Sequence, residues 1–234
     1  MTPPRNSLRE FRPSLKGRVE HFCILLDGKP IKTPMRKTLA LPTHALAEAV
    51  AEEWRGQGDK IVSATMPLTK LANTAIDRVV AREAAIAEQI LAYANDLLCY
   101  RAEAPDDLVA RQNKSWNPIL DWAAERYAPL TVGTGVGYIA QPGESVEALR
   151  KALAERDAFA LTALHAAATL CGSLVLALAL ADGRLDAEEA FALSQLDELY
   201  QAEKWGVDEE AQSRARALAA ELAAAARFMS LAQR

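Results

Sequence analysis

The sequence contains few of the residues that characterise secreted or metal-binding proteins. Its three cysteines, Cys23, Cys99 and Cys171, are far apart and odd in number, whereas a disulfide-stabilised secreted domain carries more cysteines in a shorter chain. Neither a CxxC nor an HExxH pattern occurs, so the common sequence signatures of zinc sites are missing. We therefore expect reduced, mostly buried thiols and no bound metal.

The N-terminal sequence MTPPRNSLREF lacks the features of a targeting signal. It has no apolar core of the kind found in secretory signal peptides, and its two prolines and Glu10 interrupt any amphipathic transit helix. These features favour a protein of the bacterial cytoplasm; the alternative is an organellar protein whose presequence has already been removed.

The chain has no excess of basic charge. Its net charge is −4 and its pI is near 5.5, which favours neither nucleic acid nor an anionic membrane as partner. Residues 1–39 carry nine basic and three acidic residues, hence +6, which leaves −10 for the rest of the chain. Such a split indicates either an interaction surface or two solvated surfaces of opposite sign.

One segment has no charged residue at all. Residues 158–181 contain no Asp, Glu, Lys or Arg, and this length could span a bilayer. However, nine of the 24 residues are alanine, His165 lies within the run, and the flanks show no one-sided basic excess. We interpret the segment as a buried helix of a soluble bundle.

Alanine use divides the chain, because none of its 47 alanines precedes Ala40. The alanine-free part is rich in apolar and β-branched residues, and Asp27-Gly28 is a tight-turn signal. Short strands are predicted at 19–26, 29–33 and 38–41. They indicate a short antiparallel sheet in a small α/β domain, residues 1–64.

Helical patterns dominate the rest of the chain, residues 65–234. Thr43 is a predicted N-cap, Pro118 is predicted to divide one helical region into a pair, and Asp186 with Glu189 forms a capping box. Helices are predicted from Thr43 to just before Gly56, and at about 67–94, 106–127, 145–156, 158–181, 186–205 and 208–231.

Two segments are open to more than one interpretation. Residues 96–101 are a short strand or a turn, and residues 130–140 could return to pair with the N-terminal sheet. The predicted fold class is α+β and mostly helical, with a small β-rich α/β N-terminal domain followed by a larger all-helical C-terminal domain.

No catalytic constellation is evident in the sequence. Gly133, Gly135 and Gly137 give G-x-G-x-G, which lacks the spacing and following helix of a dinucleotide-binding fingerprint. His165 and Cys171 would lie about 240° apart around a helix. Doubled acids such as Glu52-Glu53 diverge by about 100° on a helix and look like solvated faces. We therefore expect no catalytic residue, no cofactor and no enzymatic activity.

The stretch DELYQAEKWG (197–206) is harder to explain as ordinary helix. An apolar stripe runs through Ala192, Leu193, Leu196, Leu199 and Tyr200, and its spacing continues to Glu203. A carboxylate at an apolar position must be paired, protonated or presented to a partner. Alternatively, the stripe ends there and Glu203 lies in solvent.

Seven segments together carry a family resemblance. They are LDGKPIKTP (26–34), EEW (52–54), MPLTKLANTAID (66–77), DLLCYR (96–101), RQNKSWNPILDW (111–122), LHAAATLCGS (164–173) and DELYQAEKWG (197–206). In order and spacing they resemble the ATP synthase assembly factor 2 family (the ATP-twelve type), whose members chaperone the α subunit of the catalytic head. The resemblance covers nearly the whole chain.

The resemblance implies a chaperone and not a catalyst. Family members bind the newly made α subunit of the F-type ATP synthase, shield the surface that the β subunit later covers, and are released as the hexamer forms. The implied partner is the unassembled α subunit, with no nucleic acid, membrane insertion, small-molecule substrate or cofactor, and the chaperone is expected to be a monomer. Eukaryotic members act in the mitochondrial matrix.

The resemblance also implies which residues contact the client. By motif match they are Glu203, Asp197, Glu198 and Trp205. Asn117 departs from the family pattern, in which an aspartate is usual at this position. Two alternatives remain open: a general holdase or adaptor with other clients, and an enzyme in which His165, Cys99 or the acids converge in space.

Overall fold

The structure is a computed structural model that describes residues 12–15, 20–26, 28–135, 137–206 and 208–233. These residues form ten α-helices and seven short β-strands, which confirms the mostly helical α+β class. The chain divides into two compact units. Unit 1 comprises Met1–Glu83, Asp157–Ala163 and Arg227–Arg234, and unit 2 comprises Ala84–Arg156 and Leu164–Ala226. The domain boundary at residue 64 stays a prediction.

Unit 1 contains five short strands. They are β1 (Arg12–Leu15), β2 (Glu20–Cys23), β3 (Leu25–Leu26), β4 (Lys29–Pro30) and β5 (Ala40–Leu41). An antiparallel sheet has the order β1–β2–β5, and β3 pairs with β4 as a separate antiparallel hairpin. The strands are shorter than predicted, and β1 is an addition to the prediction because Pro13 is unfavourable in a strand. Val19 and Asp27, predicted in the first strand and its turn, lie outside the described residues.

Two helices of unit 1 pack against each other, α1 (His44–Arg55) and α2 (Pro67–Thr74). The Thr43 hydroxyl accepts a hydrogen bond from the Leu46 N–H at 3.1 Å, which confirms the predicted N-cap. The Glu53 carboxylate accepts from the Leu68 and Thr69 N–H groups, each at 2.8 Å, and so caps α2. This contact fixes the end of α1 on the start of α2.

The single helix predicted at 67–94 is wrong. α2 passes into a π-helical turn at Ala75–Val79, and a new helix, α3 (Glu83–Leu91), begins after a break. Asp77 within the π-helical turn accepts hydrogen bonds from the Thr33 hydroxyl at 2.7 Å and the Met35 N–H at 3.0 Å. A contact with a residue more than 40 positions away leaves no trace in the local helical pattern.

Helices continue along the rest of the chain. They are α4 (Asp106–Arg126), α5 (Gly143–Ala154), α6 (Ala158–Cys171), α7 (Leu174–Ala181), α8 (Ala187–Ser194), α9 (Leu196–Trp205) and α10 (Glu209–Ala232). The predicted capping box at Asp186 and Glu189 is confirmed. The predicted interruption at Pro118 is wrong, because α4 runs through it. Buried Trp116, Ile119 and Leu120 hold both sides of the proline and offset the hydrogen bond that it removes.

The uncharged segment 158–181 is two helices and not one. α6 ends at Gly172, whose φ of +63° favours glycine, and the Ser173 hydroxyl caps α7 by accepting from the Leu176 N–H at 2.9 Å. All of α7 is buried, as predicted. Across the described ranges, no helix combines the length and apolarity needed to cross a membrane.

The Asp96 carboxylate stabilises the junction between α6 and α7. It is fully buried and accepts from the Val175 N–H at 2.8 Å and from the Leu98 N–H at 3.0 Å. Burial raises the pKa of Asp96 to about 6, against the opposing effect of these donors and of the Ser173 hydroxyl. The carboxylate therefore carries its charge at neutral pH and anchors the start of α7.

The segment 130–140 does not return to the N-terminal sheet. Its strand, β7 (Gly133–Thr134), pairs in parallel with β6 (Tyr100–Arg101). The Gln141 side chain holds the segment there, because it accepts from the Thr131 N–H at 2.8 Å and donates to the Thr131 carbonyl at 3.1 Å. Residues 96–101 thus contain both of the predicted alternatives, because a turn at Leu97–Cys99 is followed by the strand β6.

The three cysteines are buried and free, as predicted. Burial raises the pKa of Cys99 and of Cys171 to about 12, so both thiols stay protonated at physiological pH.

Candidate functional site

The acidic motif 197–206 forms α9 and its C-terminal end, packed against α4 within unit 2. The predicted apolar stripe is only partly correct. Leu196 and Tyr200 are buried, but Ala192 is exposed and Leu199 is 48% exposed. The helix predicted over 186–205 breaks at Gln195, which shifts the helical phase between α8 and α9.

Glu203 is paired on the surface with Arg111 of α4. Its two carboxylate oxygens accept from the two terminal nitrogens of the guanidinium at 2.9 and 2.8 Å, and both side chains are partly exposed. The hydrogen bonds from Arg111 lower the pKa of Glu203. Glu203 is therefore neither a solvated helix end nor half of a buried pair.

A second polar contact fixes the same two helices. The Asp107 carboxylate accepts from the Tyr200 hydroxyl at 2.7 Å and from Lys204 Nζ at 2.9 Å. These hydrogen bonds, from Tyr200 first and Lys204 second, lower the pKa of Asp107 to about 2. Arg111 and Lys204 also lie over the Tyr200 ring, 5.5 and 5.1 Å from its centroid.

Asp197 is occupied by a buried amide. Gln112, which is 1% exposed, donates to Asp197 Oδ1 at 2.8 Å and accepts from the Ala102 N–H at 2.9 Å. The Trp116 indole N–H donates to the Leu193 carbonyl at 3.0 Å. The motif RQNKSWNPILDW thus joins α4 to α8 and α9, a role that its sequence alone does not reveal.

The outer face of α9 carries the residues that remain available. Trp205 is 78% exposed, and Glu198 is exposed seven positions before it, which places both on one helical face. Leu199 is also exposed, about 100° around the helix from Glu198. The four predicted contact residues therefore form two groups: Asp197 and Glu203 are held by α4, whereas Glu198 and Trp205 face solvent.

Arg101 lies next to this network and has no acidic partner in the described residues. It is 5% exposed, donates to Asn117 Oδ1 at 2.9 Å and to Asn113 Oδ1 at 3.4 Å, and its Nε makes no hydrogen bond. Its guanidinium carbon lies 5.1 Å from the centroid of the Trp116 ring. Burial lowers the pKa of Arg101. Among the described residues, this buried cation is therefore balanced by neutral amides and a π-face.

Replacing Asn117 with aspartate is expected to stabilise the chain. The new carboxylate would stand where the Asn117 amide oxygen now accepts from Arg101, and a charge-assisted hydrogen bond is stronger than a neutral one. We expect a gain of about 1 kcal/mol, or about 2 to 4 °C in melting temperature. Thermal melts of Asn117→Asp and Asn117→Ala should move in opposite directions; a lower melting temperature for the aspartate variant would contradict the account of Arg101.

The histidines, cysteines, acids and glycines singled out from the sequence can be located in the structure. No group of three or more His, Cys, Asp or Glu in the described ranges is placed to hold a metal ion. Gly133 lies in β7 and Gly135 in the bend after it, and the described residues that follow, 137–142, form no helix.

Known proteins resemble this chain in sequence and in fold. The sequence profile described as ATP12 chaperone protein matches residues 11–124. The crystal structure of Atp12 from Paracoccus denitrificans is 42% identical with a TM-score of 0.91, over 98% of this chain and 99% of that chain. A crystal structure of a protein from Agrobacterium tumefaciens is 40% identical with a TM-score of 0.90, over 97% and 85%. The mitochondrial protein atp12 of Schizosaccharomyces pombe is 25% identical over 224 residues, 89% of this chain and 77% of that protein. The chain therefore belongs to the ATP12 family of ATP synthase assembly chaperones.

Proposed function

We propose that this protein binds the unassembled α subunit of the F-type ATP synthase and covers the surface that the β subunit later occupies. It acts by binding and not by catalysis. Family membership supports the client class, and the exposed face of α9 supports a protein contact on this chain. The exposed indole of Trp205 is the single observation on which the proposed contact surface rests.

The α9 face has the composition of a protein-binding surface. Trp205 and Leu199 expose apolar area on the helix that also exposes Glu198. Tryptophan is enriched among the residues that dominate binding energy in protein interfaces. Asp197 and Glu203 position this face, because their hydrogen bonds to Gln112 and Arg111 hold α9 on α4.

Suppression of α-subunit aggregation tests the proposed function directly. Light scattering of isolated ATP synthase α should fall at near-equimolar chaperone, without ATP or added metal, because the sequence has neither a phosphate-binding loop nor a zinc motif. The isolated β subunit and an unrelated aggregating protein serve as control clients. Equal protection of all three would indicate a general holdase, and no protection of the α subunit would contradict the proposal.

Glu203→Gln tests whether this carboxylate contacts the client or positions α9. We expect the melting temperature to change little, because the pair with Arg111 is exposed. If Glu203 positions α9, Glu203→Gln and Arg111→Gln should each weaken α-subunit binding by the same factor, about two- to fivefold. The double variant should bind the α subunit no more weakly than either single variant.

Isothermal titration of the α subunit into these variants separates the two roles. If Glu203→Gln weakens binding while Arg111→Gln does not, Glu203 contacts the client itself and the positioning role is wrong.

A further inference from the structure

A groove in unit 1 has no part in the α9 surface. It lies between the turn after β4, the end of α1, and α2, and has a volume of about 640 Å³. A second recess of about 530 Å³ shares Lys32, Trp54 and Ile61 with it. Single ligand pockets commonly have volumes of about 300 to 1,000 Å³. Two recesses with a shared wall suit an extended segment better than one compact molecule.

Three of the family motifs meet at this groove: residues 26–34, 52–54 and 66–77. Some of their residues have an evident structural task. Glu53 caps α2, and the Asp77 carboxylate holds the turn at Thr33 and Met35. The carboxylates of both acids thus accept hydrogen bonds within unit 1. Where other motif residues that line the groove make no such structural contact, the fold does not explain why they lie there.

Trp54 and Asn73 line the groove, and each has a buried polar atom without a partner. Trp54 Nε1 donates no hydrogen bond and Asn73 Oδ1 accepts none in the described residues. Unmade hydrogen bonds of buried groups are costly and uncommon in folded proteins. One unpaired donor and one unpaired acceptor are the complement of a peptide backbone, which offers a C=O and an N–H.

The groove is basic. Lys32, Lys70 and Arg78 line it and Lys29 lines the adjoining recess, whereas Asp77 is the sole acid among the lining residues. Lys32 Nζ donates to the Thr38 hydroxyl at 2.8 Å and not to an acid. No ion pair involves these four cations in the described residues. These cations would attract a negatively charged occupant.

Exposed apolar side chains at the mouth of the groove favour an occupant that also has apolar groups. Met35 is 63% exposed and Ile61 is 59% exposed, and both line the groove. Met35 is flexible and adapts to varied partners. Met35, Trp54 and Asn73 all line the same groove, so an occupant would meet the apolar and the polar groups together.

We propose that this groove binds an extended polypeptide segment in which acidic residues alternate with aliphatic ones. Its backbone carbonyl accepts from the Trp54 indole N–H, and a backbone N–H donates to Asn73 Oδ1. Its carboxylates lie near Lys70 and Arg78, and its aliphatic side chains cover Met35 and Ile61. The groove is a separate peptide site on unit 1, and it does not depend on the identity of the client at α9.

Fluorescence anisotropy with short synthetic peptides tests the site without any α subunit. The probe is a fluorescein-labelled peptide of about eight residues with alternating leucine and glutamate, long enough at about 3.3 Å per residue to follow the groove. Leucine–glutamine and leucine–lysine peptides are the controls. We expect at least tenfold tighter binding of the acidic peptide than of the basic one, with affinity that falls as salt rises.

Three variants locate the binding. Lys70→Glu should weaken the acidic peptide about tenfold, whereas Lys151→Glu, an exposed charge reversal on α5, should not. Trp54→Phe and Asn73→Leu should each weaken binding about three- to tenfold. Both should keep or raise the melting temperature, because each removes a buried polar atom that makes no hydrogen bond within the described part of the chain.

This combination of weaker binding and unchanged or higher stability distinguishes a ligand site from a structural one. A large drop in melting temperature for both Trp54→Phe and Asn73→Leu would assign these groups to the fold and overturn the proposal. Equal affinity for acidic and basic peptides, or displacement of the peptide by an equal concentration of single-stranded oligonucleotide, would overturn it as well.

Discussion

Asp96→Ala is expected to lower the free energy of unfolding by about 2 to 3 kcal/mol at neutral pH. The variant leaves the N–H groups of Leu98 and Val175 buried without an acceptor, and each unsatisfied group costs about 1 to 3 kcal/mol. The charge itself is costly to bury, as the raised pKa of Asp96 shows, and its removal offsets part of the loss.

The expected fall in melting temperature is about 5 to 10 °C, and circular dichroism can measure it. Asp121→Ala is the matched control, because Asp121 is exposed on α4 in the same unit and its change should have little effect. Equal melting temperatures for the two variants would show that Asp96 does not hold the α6–α7 junction.

Trp205→Ala is expected to weaken α-subunit binding about 30-fold while the melting temperature stays the same. The indole is 78% exposed in the free chain, so its removal leaves no cavity. Burial of a tryptophan at the centre of an interface commonly contributes about 2 kcal/mol or more, which corresponds to this factor.

Tyr138→Ala provides the control for Trp205. Tyr138 is 79% exposed in the segment after β7, so the same aromatic-to-alanine change is made outside α9. Titration of the α subunit should show wild-type affinity for this variant. If both variants bind the α subunit as the wild type does, the contact lies elsewhere on the chain.

The sequence reveals features that local patterns determine. Thr43 caps α1, and Asp186 and Glu189 form a capping box, because each cap depends on neighbours within one turn. The burial of α7 depends on packing against other helices, but its uncharged, apolar composition already indicates it. The sequence cannot reveal features that depend on distant residues. Gly172 and Ser173 are local signals for the break, but the alanine- and leucine-rich pattern on both sides of them obscures it, and Asp96, which accepts from the Val175 N–H, is distant in sequence.

The same limit applies to the candidate site. Glu203 attracts attention by its position in the helical pattern, but its partner Arg111 is 92 residues away. Without that partner, the sequence leaves open whether the carboxylate is free, buried or paired. Trp205 is recognisable from its motif, whereas its exposure follows only from the place where α9 ends at Gly206.

The positions of the three thiols make the two units separately observable. Cys23 is buried in unit 1, whereas Cys99 and Cys171 are buried in unit 2. Because a protonated, buried thiol does not react with an alkylating reagent, each modification records an opening event of the unit that holds it. Pulse labelling followed by peptide mass spectrometry would therefore give an opening free energy for each unit in the unmodified protein, and would show whether client binding slows the opening of one unit or of both.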